Sequence, residues 1–86
     1  MDAPAAGTER IIAVKDIDPR HRHMVIGQLF DHLSPGASLQ ILVDHDPKPL
    51  RFQIEAKHGA LCQWSYLEEG PDTWRVRLQK RESAGG

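Results

Sequence analysis

A chain of 86 residues, 40% hydrophobic and 27% charged, makes one small globular domain, because at this size only about 60% of the unfolded surface can be buried. The net charge of −1 lacks the basic footprint of a nucleic-acid binder, and a single cysteine, Cys62, excludes an internal disulfide framework and a thiolate zinc cage. No apolar run nears the roughly 18 residues of a membrane helix, and the start at Met1 has neither basic flank nor apolar segment, so no membrane contact and no secretory signal are expected; the cytoplasm is the expected compartment.

In chain order, residues 1–9 are small and polar and are expected to form a disordered tail, as are residues 82–86, which leaves a domain over 10–81. Ile11 to Val14 is a short apolar run and a candidate first strand. It ends at Asp18-Pro19, where Asp18 suits an N-cap and Pro19 a first helical residue. Ile26, Leu29, Phe30 and Leu33 then recur at spacings of three and four, the core face of a helix, and Ser34-Pro35-Gly36 stops it.

The second strand runs from Leu39 to Val43. Asp46-Pro47 repeats the cap-and-proline signal and predicts a second helix with Asp46 as its N-cap. Leu50, Phe52, Ile54 and Ala56 alternate as in a strand, but the prolines at 47 and 49 suit a first helical turn and Gly59 suits a C-terminal cap, so residues 50–57 are read as helix. In the last third, Cys62, Trp64 and Tyr66 alternate with polar residues, a turn follows at Glu69-Gly70-Pro71-Asp72, and Trp74, Val76 and Leu78 alternate again. This predicts a β-hairpin with one buried face, Arg75 and Arg77 lying on the other.

The order is thus β-α-β-α-β-β, an α/β (α+β) two-layer sandwich with two helices on one face of a four-stranded mixed sheet. The right-handed crossover rule makes the first two strands parallel. Two polar runs then share one edge, Arg20-His21-Arg22-His23 after the first strand and Asp44-His45-Asp46 after the second, where open sheets gather ligands.

Three stretches resemble a known family: Ile17-Asp18-Pro19-Arg20-His21 through Leu33-Ser34-Pro35-Gly36, then Asp44-His45-Asp46-Pro47-Lys48-Pro49-Leu50, then Trp64 through Val76 with Glu69-Gly70-Pro71-Asp72-Thr73-Trp74. They are similar to domain of unknown function 2249, grouped with the TusA/SirA-like sulfur carriers, over about residues 11–80. The resemblance implies the same two-layer sandwich. Carriers of the TusA type use a Cys-Pro-x-Pro motif at the start of the first helix, whereas the matching region here reads Asp18-Pro19-Arg20-His21 without a thiol. Fusion of some family members to cupin or hemerythrin-like metal domains implies an accessory role in redox or metal biology.

Among site candidates, His21, His23, Asp44 and His45 are potential ligands for a transition metal ion or an anion at the shared edge. Residues two apart on a helix diverge by about 200°, which opposes joint use of the two early histidines. Asp44 and Asp46 have turn and capping duties, whereas His45 has none and is the strongest functional candidate. His32 and His58 sit where a cation complements a helix C-terminus, and Trp64 and Trp74 suit core packing. Cys62 lies in an apolar stripe and reads as inert. With no serine–histidine–acid order and no Gly-rich phosphate loop, the expectation is a non-enzymatic ligand- or metal-binding accessory module. The alternatives are an interaction domain that docks another protein on its free sheet face and a sulfur-carrier relative that has lost its cysteine.

Overall fold

The computed structural model describes residues 9–82. Residues 1–8 and 83–86 of the expected tails lie outside these residues. Four strands form one sheet, β1 (Arg10–Ala13), β2 (Ser38–Val43), β3 (Cys62–Glu69) and β4 (Trp74–Lys80), in the spatial order β1-β2-β4-β3. β1 and β2 are parallel, with Ile12 opposite Ile41, and β4 runs antiparallel to both β2 and β3. The mixed sheet and its two helices, α1 (Arg22–Asp31) and α2 (Lys48–His58), are the predicted architecture. The last strand in sequence therefore occupies the interior of the sheet.

Both helices cover one face. Ile26 and Phe30 of α1 and Leu50 and Ile54 of α2 pack on Leu39, Ile41, Val76 and Leu78, all buried. At about 1.5–3 kcal/mol per fully buried aliphatic or aromatic side chain, this layer is the main favourable term in so small a domain. In α2 the apparent strand alternation breaks: Leu50 and Ile54 are buried while Phe52 is 74% exposed. A spacing of four, not two, decides which side chains reach the sheet. Gly59 ends α2 at φ +58°, a conformation that costs a glycine little, and its N–H donates to the Glu55 carbonyl.

Several boundaries depart from the sequence reading. β1 stops at Ala13, and Val14 opens a one-turn 3₁₀ helix while its side chain stays in the core. Asp18 does act as a cap, accepting from the Arg20 N–H at 2.9 Å, but of a 3₁₀ turn over Pro19–His21 that precedes α1. Asp46 is not the N-cap of α2: Pro47 holds that position with no side-chain cap, and Lys48 donates to the Asp46 carbonyl. The Asp46 carboxylate is engaged by the Tyr66 hydroxyl instead, at 2.6 Å, and Pro49 lacks one of the two N–H groups that a cap at Asp46 would take. The hairpin register places Trp64 opposite Leu78 and Tyr66 opposite Val76, then slips at a bulge between Tyr66 and Glu68. Trp64, Tyr66 and Trp74 line the helix-covered face in successive edge-to-face contacts, with ring centroids 6.2 and 6.1 Å apart.

The opposite face carries a polar array in place of a second layer. Glu9 accepts from Arg77 Nε at 2.7 Å and Nη2 at 3.0 Å, from Ser38 Oγ at 2.6 Å, and from the Gln40 amide. Arg75 donates to the other end of Gln40 at 2.9 Å. Arg77 and burial act oppositely on Glu9, and Arg77 wins, so its carboxyl is pulled down to about 2. Glu9, read from the sequence as the end of a loose tail, is joined to β2 and β4.

Candidate functional site

The carboxyl ends of β1 and β2 lie side by side, as the parallel pairing requires, and the chain leaves them in opposite ways. After β1 it turns through Val14-Lys15-Asp16 and then Pro19-Arg20-His21 into α1. After β2 it passes Asp44-His45-Asp46 and enters α2. A cavity of about 320 Å³ opens on this edge, lined by apolar Ala13, Val14, Leu42 and Val43. Its polar lining is Lys15, Arg22, Asp44 and His45, with Asp72 and Thr73 from the β3–β4 turn. A second cavity of about 170 Å³ adjoins it, sharing Val14, Arg22, Val43 and His45 and adding His23.

Three of the four predicted site residues reach these spaces. His45 lines both cavities, Asp44 the larger one and His23 the smaller one. His21 is exposed at the residue before α1 and lines neither. His23 Nδ1 is 2.6 Å from Gln53 Oε1 of α2, and an amide oxygen only accepts, so that nitrogen is the donor. His45 Nδ1 donates to Asp44 Oδ1 at 2.6 Å. The bond from His45 is the main reason why the Asp44 carboxyl lies below the usual carboxylate range, and the nearby Arg22 charge adds to it.

Asp44 and His45 are thus a formed pair. Among the described residues no three His, Cys, Asp or Glu side chains gather as a metal would need. Asp46 turns away to accept from Tyr66 Oη at 2.6 Å, which ties the start of α2 to β3. Burial, followed by that bond, raises the Tyr66 hydroxyl pKa.

Arg22 is the residue that sequence reasoning passed over. It stands between the two histidines of the Arg20-His21-Arg22-His23 run, yet it borders both cavities. Its Nε donates to the Ile17 carbonyl at 2.9 Å, which fixes the guanidinium in the half-buried wall. Its place in that basic run was the available signal. Lys15 and Asp72 had none, because their approach depends on how the two turns fold toward each other.

The remaining candidates have structural roles. His32 Nδ1 donates to the Gln28 carbonyl at the end of α1, at 2.7 Å. His58 packs against Phe30 with the rings tilted 58° and centroids 4.7 Å apart, its Nε2 3.2 Å from Asp31 Oδ1. Trp64 lies half-buried on the core beneath the Arg51 guanidinium, 5.8 Å from its ring centroid. Cys62 is buried, and burial pushes its thiol up to about 11, far from the range of a reactive thiolate.

The family model described as "Uncharacterized conserved protein (DUF2249)" matches residues 11–80, which take in the whole sheet edge just described. No curated protein and no solved structure matches the chain.

Proposed function

The chain belongs to the uncharacterized conserved protein family DUF2249, which brings no assigned activity, and from that premise we propose that it is a non-enzymatic accessory module that binds a small molecule at the β1–β2 edge. The observation that carries this reading is the cavity of about 320 Å³ at the carboxyl ends of two parallel strands, with apolar walls and a few polar groups converging on it. The position is where open sheets bind ligands, and the volume is at the small end of metabolite sites, which run from about 300 to 1,000 Å³. The buried Cys62 is remote in character from a carrier thiol. We further propose a TusA/SirA-like architecture and a cytoplasmic location for this module. Among the described residues no helix is long and apolar enough to cross a membrane.

The metal version of this reading rests on Asp44 and His45 alone and needs further ligands from solvent or another molecule. A fragment set screened by two-dimensional NMR on the 86-residue chain, with zinc and copper salts in parallel, tests both forms. Shifts concentrated at Val14, Arg22 and Val43–His45 are expected from organic fragments. Fragments that move only residues elsewhere would end the reading.

A second reading has one observation in its favour. Ile11 stands 53% exposed on the helix-free face, opposite Gln40 of the polar array, and suits a docked protein. Co-purification from the native host tests it, and a lone monomer recovered under gentle conditions would count against it.

A further inference from the structure

We propose, resting on the ligand-site reading above, that the edge cavity selects a small aliphatic carboxylic acid, its carboxylate held by Arg22 and Lys15 and its hydrocarbon laid against Val14, Leu42 and Val43. The first support is the state of Arg22. A free arginine side chain loses rotamer freedom when it takes a ligand, but this one is already fixed by the bond from its Nε to the Ile17 carbonyl, 2.9 Å long. That bond leaves the two terminal amino groups, and such a planar fork matches the two oxygens of a carboxylate.

The second support is the make-up of the lining. Lys15, which follows β1, and Arg22, which opens α1, both border the cavity beside Val14, Leu42 and Val43. Asp44 with its His45 cover and Asp72 border it too, and the Arg22 charge reaches Asp44. An acid entering the cavity gains by seating its carboxylate on the two cations and away from the two carboxylates.

The aliphatic walls of the cavity separate a carboxylic acid from inorganic phosphate, because they need a ligand with an apolar body.

The test is an NMR titration of the full chain with isovalerate, and separately with isovaleramide, its uncharged counterpart of nearly equal shape, and with inorganic phosphate. Isovalerate should shift the amides of Val14, Lys15, Arg22 and Val43–His45, and isovaleramide should bind at least about tenfold more weakly, the effect of one lost charge-assisted contact. Arg22→Gln should lower isovalerate affinity by about tenfold or more. Should that variant fail to fold for want of its Ile17 bond, Lys15→Gln keeps the proposal testable, with a loss of a few-fold and a flatter salt dependence. Equal binding of amide and acid, or tighter binding of phosphate, would overturn the carboxylate assignment while leaving a ligand site at this edge. Failure of isovalerate together with every fragment to move these amides would bring down the site reading itself.

Discussion

At the residue scale, the clearest expectations concern polar side chains whose partners lie far away in the chain. Glu9 is one of them, and its folded carboxyl at about 2 lies below the ordinary value of 4.5. A depressed folded pKa means that the ionised form is favoured by folding, so the stabilisation is full above the unfolded pKa and fades as pH falls toward the folded one. Stability should therefore drop between about pH 4.5 and pH 2, and Glu9→Gln should lower stability at pH 7 while flattening that acid limb. Denaturation midpoints measured across this window check it, and parallel curves for the two proteins would dissolve the argument. Tyr66→Phe should cost about 1–2 kcal/mol, because it removes the donor from a carboxylate acceptor at 2.6 Å. Asp46→Asn should cost less than Tyr66→Phe, since an amide oxygen can still accept. A double-mutant cycle on the pair would show coupling if the bond exists in solution, and strict additivity if Asp46 serves a helix cap.

At the scale of elements, α2 gives the sharpest test, because two periodicities compete within one stretch. Leu50→Ala and Ile54→Ala should each cost about 2–5 kcal/mol, whereas Phe52→Ala should change stability by no more than about 0.5 kcal/mol despite its larger side chain. A strand over the same residues would make Phe52 as costly as its neighbours, so chemical denaturation of the three variants separates the two structures. The hairpin turn offers a second test. Gly70 sits at φ +62°, and a Cβ there would lie 3.1 Å from the Trp74 ring, so Gly70→Ala should destabilise by about 1–3 kcal/mol. A fully tolerated alanine would show that the turn relaxes in solution.

These same elements show where the sequence was legible. The hairpin and the helix over Ile26–Phe30 were visible because their signals are local: alternation, three-and-four spacing, a turn quartet. The prolines and Gly59 outweighed the misleading alternation in α2 for the same reason. What escaped depends on encounters between distant residues. Asp46 looked like a cap because the dipeptide Asp-Pro is a cap signal, and nothing nearby in sequence announced that Tyr66 would claim it. Glu9 looked like tail because Arg77 enters only when β4 arrives. The candidate site was half legible for this reason: Asp44 and His45 stood out as a run, while Lys15 and Asp72 join it only through the fold.

At the scale of the whole molecule, Cys62 reports on global opening. It is buried at the junction of α2 and β3, so alkylation in the native state should be slow and should accelerate only with denaturant that unfolds the domain. Rapid modification under native conditions would mean that the β3 edge opens on its own. The edge cavity depends on the same integrity, since its walls come from the turns after β1 and β2 and from the β3–β4 turn.

The place of β4 inside the sheet has a consequence for how the protein comes into being. The first three strands emerge from the ribosome with no complete partner arrangement: β1 and β2 can meet, but β3 has nothing beside it until residues 74–80 follow. Closure is therefore held back until β4 has been made, and non-local pairing of this kind slows folding. A nascent chain halted before Trp74 should remain sensitive to protease along its whole length, whereas one extended past Lys80 and clear of the exit tunnel should become resistant in a single step.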